Sequence, residues 1–197
     1  MTQVGAAGRP SRPKRADARR NYDRLVREAG EAFAEKGAEA SLDDIAKRAG
    51  VGSGTLYRHF PTREALMEAV YVDRFDELAE RARELAAELP PGEALFTWLT
   101  DLGEQIVRVR ALKALLGAAV AEGGSPVVVQ CGDVLKTAAA ELLAAAQEAG
   151  EVRADLTHLE LLRLNHAMVT AAELAGDGPK DMGRYQQLLL EGVRSKP

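Results

Sequence analysis

The sequence predicts an all-α protein: an N-terminal three-helix domain containing a helix-turn-helix, joined by a long helix to a larger C-terminal helical domain. Three observations carry this. Apolar residues recur at offsets of three and four through most of the 197 residues, the period of a helix packed on one face. Glycine and proline punctuate these runs at Gly37, Gly50, Pro90-Pro91-Gly92, Pro126 and Gly150, where helices stop or start. No segment reads as a strand with a partner; Val127-Val128-Val129 is β-prone but stands alone.

Hydrophobic residues make up 46% of the chain, enough for a real core, yet no run approaches the ~18 apolar residues of a membrane span. Residues 1–20 hold no apolar run of the kind a secretory signal needs. One cysteine, Cys131, excludes an internal disulfide, and CxxC or His/Cys metal spacing is absent. A cytoplasmic protein without membrane, metal or cofactor is expected. The net charge of −4 hides a division. Residues 1–63 carry 13 Lys+Arg against 8 Asp+Glu, a net of +5, which leaves 13 against 22, a net of −9, for residues 64–197. Such asymmetry suggests a basic nucleic-acid-binding part attached to an acidic part with another task.

In chain order, residues 1–17 hold Arg9, Arg12, Lys14 and Arg15 among Gly and Pro. Without apolar periodicity they are expected to form a disordered basic arm, placed to touch phosphates or the minor groove. The DNA-binding domain is drawn at 18–63. Its first helix, about 18–36, carries Leu25, Val26, Ala29, Ala32 and Phe33 on one face and stops at Gly37. The stretch SLDDIAKRAGVGSGTLYRHFPTR, residues 41–63, reads as two short helices around a tight turn. Ser41 caps the first helix, with Asp43 and Asp44 in its first turn, and Leu42, Ile45, Ala46 and Ala49 turn inward. Gly50 supplies the backbone freedom for the turn. The second helix, Ser53 to Phe60, buries Leu56 and Phe60 and offers donors and rings on its other face. That is the pattern of a helix-turn-helix whose second helix enters the major groove.

These same residues resemble the DNA-binding domain of the tetracycline-repressor (TetR) family, over roughly residues 20–70. The likeness lies in Leu42-Asp43-Asp44-Ile45-Ala46, Ala49-Gly50-Val51, Gly54-Thr55-Leu56-Tyr57-Arg58-His59-Phe60 and Arg63-Glu64-Ala65-Leu66. Gly52-Ser53 departs from the family's Ser followed by Lys or Arg, which removes a side-chain cap and a cation. Ser41, Ser53, Gly54, Thr55, Tyr57, Arg58, His59 and Arg63 are the expected DNA contacts. The resemblance implies a dimeric regulator, most simply a repressor, released from a palindromic operator on double-stranded DNA by a small-molecule effector. The alternative is a constitutive or architectural DNA-binding dimer with no effector.

Thr62 caps a helix expected to run to about Leu89, with a stripe of Met67, Tyr71, Phe75, Leu78, Ala82 and Leu85 and an i,i+4 pair, Glu77 with Arg81. About 27 residues span ~40 Å, enough to join two domains. The effector-binding and dimerisation domain is drawn at 64–197. Helices are expected at about 93–109, with Leu95, Trp98, Leu99, Leu102 and Ile106 inward, then 111–121, 127–149, from 155 or 157 to 174, and 181–193. The last two are apolar on more than one face, which implies burial from two sides. A homodimer interface is therefore expected from Leu159, Leu162, Val169, Tyr185, Leu189 and Val193. Candidate effector contacts are Phe96, Trp98, Leu115, Cys131, Leu135, Asn165, His166 and Met168, an apolar set with a few polar groups. No nucleophile elbow, phosphate-binding glycine loop or metal pair points to an enzyme.

Overall fold

Tyr22, Leu25, Val26, Ala29, Ala32 and Phe33 line the buried face of α1 (Ala16–Lys36), which starts two residues inside the segment expected to be an arm. The computed structural model describes residues 16–108, 126–174 and 179–194. The basic arm at 1–15 and the apolar run at 111–121 lie outside those residues. A single 3₁₀ turn, Gly37–Glu39, leads to α2 (Leu42–Arg48) and α3 (Ser53–His59). Ser41 Oγ accepts from the Asp44 amide at 3.3 Å, the expected cap. Gly50, at φ 68°, takes the left-handed conformation that the turn between α2 and α3 requires.

Thr62 Oγ1 accepts from the Ala65 amide at 3.1 Å and opens α4 (Arg63–Glu88). This helix passes from one core to another. Leu66, Ala69 and Val70 close the N-terminal core with Leu25, Val26, Ile45, Leu56 and Phe60. Tyr71, Phe75, Leu78, Ala82 and Leu85 belong to the second core. The first core thus extends to Val70, past residue 63. At 26 residues α4 is ~39 Å long.

The second core adds α5 (Pro91–Arg108), α6 (Pro126–Glu148), α7 (His158–Leu174) and α8 (Pro179–Val193). α4 packs on α5 and α6, while α7 lies against α5, α6 and α8. Two buried side chains pin helices to carbonyls. Trp98 Nε1 donates to Leu78 O at 2.9 Å, tying α5 to α4. Gln186 Nε2 donates to Leu99 O at 2.7 Å, tying α8 to α5. The expected Glu77–Arg81 pair is replaced by tertiary and shorter-range partners. Arg81 Nε reaches Asp101 on α5 at 3.0 Å, and Glu77 pairs instead with Arg74 at 2.7 Å. At the far end Gly150 (φ 74°) ends α6, and the Arg153 amide donates to Val193 O at 3.1 Å. There Val152 and Arg194 form one isolated antiparallel bridge, and no named strand occurs among the described residues.

Candidate nucleic-acid interface and second-domain site

Leu56 and Phe60 fix α3 by pointing into the N-terminal core. The opposite side therefore carries Gly54, Tyr57 and Arg58 outward, with Thr55 half-buried. Tyr57 is 48% exposed. No acidic residue lies on α3. Gly52, at its N-cap, makes no side-chain cap bond, which agrees with the sequence departure at that position. Tyr57 and Arg58 thus stand exposed on the face of α3 turned away from the core.

Four of the other expected contacts, Ser41, Ser53, His59 and Arg63, have partners inside the domain. Ser41 caps α2. Ser53 Oγ donates to Asp43 Oδ1 at 2.6 Å, which joins α3 to α2. Arg63 Nη1 donates to the Ala40 carbonyl at 2.6 Å. His59 is half-buried, its ring edge-on to Tyr22 at 6.2 Å and tilted against Phe60 at 6.2 Å. Burial, and secondarily the adjacent Arg58 charge, hold the His59 imidazole below its usual pKa. Arg48, not singled out in the sequence, reaches three α1 carboxylates: Glu28 at 3.3 Å, Glu31 at 2.9 Å and Glu35 at 3.2 Å. The acids recur on one face of α1, a spacing visible in the sequence, but their partner 13–20 residues away is not.

In the second domain the expected effector contacts separate. Trp98 and Leu135 are core residues packed among helices. Phe96 is half-buried, with the Arg194 guanidinium 5.2 Å from its ring centroid. Met168 and His166 are half-buried on α7. Asn165 is 0% exposed, and neither its amide nitrogen nor its oxygen meets a partner among the described residues. Leu115 lies outside the described residues, as does the Cys131 side chain.

The expected dimer residues are also redistributed. Leu162, Val169, Leu189 and Val193 are buried inside the protomer's own core, while Leu159 and Tyr185 are half-buried. The helix pattern was bifacial because one face meets α5 and α6. What α7 and α8 leave open is a different pair, Leu164 at 39% and Leu188 at 45% exposure, with Ala167 and Ala171 exposed on α7.

Residues 25–70 match the family described as bacterial regulatory proteins, tetR family, and residues 90–195 match the C-terminal domain described as transcriptional regulator SbtR-like. The fold is similar to that of a TetR transcriptional regulator from Streptomyces coelicolor, at TM-score 0.73 and 34% identity, covering 89% of this chain and 99% of that one. A TetR regulatory protein from Mycobacterium vanbaalenii is similar at TM-score 0.69 and 36% identity, over 92% and 99% of the two chains. An HTH-type transcriptional repressor of Mycolicibacterium smegmatis is 38% identical over 77 residues, 39% of this chain. That match spans only 37% of the curated relative's length. With an N-terminal helix-turn-helix match, a second match over more than half of the chain and a shared whole-chain fold, the protein belongs to the TetR family of transcriptional regulators, a family of regulators and not of enzymes.

Proposed function

We propose that the protein is a homodimeric transcriptional repressor that reads an inverted-repeat operator with α3 and is released from it by a small molecule held in the second domain. The observation that carries the DNA reading is α3 itself. Tyr57 and Arg58 stand exposed on an acid-free helix, over a core that Leu56 and Phe60 complete. A ring and a guanidinium at that place suit phosphate and base-edge contacts. The repressor sense is supported by the name of the M. smegmatis relative.

Dimerisation is supported by Leu164 and Leu188, exposed on adjacent helices at the C-terminal end of the fold. A second copy would cover both. The effector reading rests on Asn165, whose buried amide has no partner among the described residues. Buried polar groups are nearly always satisfied, so a ligand bearing a donor and an acceptor would complete it. A constitutive DNA-binding dimer would need no such group.

In-vitro selection of duplexes from a random pool by the full chain tests the reading. The expected product is an inverted repeat with half-sites about 34–36 Å apart, or a multiple of that. Recovery of no enriched sequence would sink the DNA-reading function. A compound library screened for release of the selected duplex tests the effector, with Trp98 emission as an independent reporter of the second core.

A further inference from the structure

Arg63 is the first residue of α4, and by family resemblance its side chain would meet DNA. In the structure it is half-buried and donates to the backbone carbonyl of Ala40 at 2.6 Å. Ala40 is fully buried and immediately precedes Ser41, the cap of α2. One residue into that helix, Asp43 accepts the Ser53 hydroxyl at 2.6 Å. The starts of α4, α2 and α3 are thereby joined in series at one point of the domain.

The need for such a junction follows from the size of the reading helix. α3 has seven residues and only Leu56 of them is buried, with Phe60 buried just beyond its end. Both apolar anchors lie in the second half of α3 or just past it, so the hydrogen bond at Ser53 adds a constraint at its start. A hydrogen bond from a guanidinium is roughly twice as strong as a neutral one, and its acceptor here is the carbonyl at a buried residue. The fixed fork of Arg suits it to holding a backbone position, where the single rotatable head of Lys is less directional.

We propose that Arg63 is a positioning residue for DNA reading: it sets α2, and through Asp43 and Ser53 the reading helix α3, at one angle to α4, and does not itself hold a phosphate. The inference rests on the DNA-reading function above. It also makes the first turn of α4 one route, beside the core shared by Leu66, Leu56 and Phe60, by which displacement of that helix reaches α3.

The experiment uses the full chain with the selected duplex and a shuffled duplex of equal length, across a salt series. For Arg63→Gln, affinity for the selected duplex should fall about tenfold, the scale of one hydrogen bond to a charged group. Affinity for the shuffled duplex and the slope of log K against log salt should stay as in the wild type. A slope shallower by about one on both duplexes would mean a lost phosphate contact and would overturn the proposal. Hydrogen exchange without DNA is the second readout. The Asp44 and Ile45 amides in the first turn of α2 should exchange faster in Arg63→Gln; unchanged exchange overturns the proposal too. If Arg63→Gln does not fold, Arg63→Lys replaces it, since it keeps the charge and loses the fork. It should lose preference for the selected duplex while keeping the salt slope, and wild-type preference with wild-type exchange would refute the junction. Failure of the wild type to prefer any duplex would fault the DNA-reading function instead, and exchange would still judge Arg63.

Discussion

Ser53 donates its hydroxyl to Asp43 across the helix-turn-helix, with 2.6 Å between Oγ and Oδ1. The first residue of α3, the proposed reading helix, is thus bound to α2. Ser53→Ala should cost ~0.5–1 kcal/mol in urea unfolding, the range for one hydrogen bond, placed low because Asp43 is exposed. Asp43→Asn retains an acceptor and should cost less. Neither change should make the salt dependence of binding to a shuffled duplex shallower. A shallower slope for Ser53→Ala would return Ser53 to the DNA face.

Two arginines 10 positions apart should behave in opposite ways. Arg58 projects from α3 and is expected to touch phosphate or guanine, so Arg58→Ala should lower the salt slope by about one. Arg48 is held by Glu28, Glu31 and Glu35, so Arg48→Ala should leave the slope alone. It should instead lower the urea midpoint, because three carboxylates on one side of α1 are left facing one another. A salt titration and an unfolding curve on each variant separate the two roles.

His59 gives the N-terminal domain a pH dependence of known sign. Burial first and Arg58 second depress its pKa, so the folded state binds fewer protons than the unfolded chain. Stability from this group is present above the unfolded pKa of about 6.5 and is lost as pH falls below it, towards the depressed folded value. Unfolding midpoints at neutral and mildly acidic pH should therefore differ by less in His59→Gln than in the wild type. An equal pH response in the two proteins would remove His59 from the account.

Local signals in the sequence located most of the architecture. The caps at Ser41 and Thr62, the turn at Gly50 and the inward Trp98 are decided by residues within a few positions. Partner choice was less legible. A donor such as that of Ser53 or Arg63 looks the same in sequence whether it meets a phosphate, a carboxylate or a backbone carbonyl. Arg81 likewise bonds Asp101, 20 residues away, where helical spacing alone suggested Glu77. α7 shows the same effect for apolar residues. Two apolar faces are visible in its sequence, but which of them the protomer covers depends on where α5 and α6 lie.

That distinction gives the test of assembly. α7 turns Leu161, Leu162, Asn165, Val169 and Ala172 into the protomer and leaves Leu164 outward, and α8 buries Leu189 and Val193 while leaving Leu188 outward. A charge at Leu162 or Leu189 would have to be desolvated within the core, at a cost of several kcal/mol per ion. That is a large part of the ~5–15 kcal/mol by which domains are stable. Leu162→Glu and Leu189→Glu should thus abolish cooperative unfolding instead of yielding well-folded monomers. At Leu164 and Leu188 the protomer leaves each residue partly open to solvent, at 39% and 45%, so a charged end can reach water and costs little until a second copy approaches. The double variant Leu164→Glu with Leu188→Glu should keep the wild-type far-ultraviolet circular dichroism spectrum and sediment at half the wild-type mass. It should also bind the selected duplex far more weakly, if each protomer of the proposed dimer engages one half-site. Sedimentation of that folded double variant as a dimer would place the partner surface away from Leu164 and Leu188.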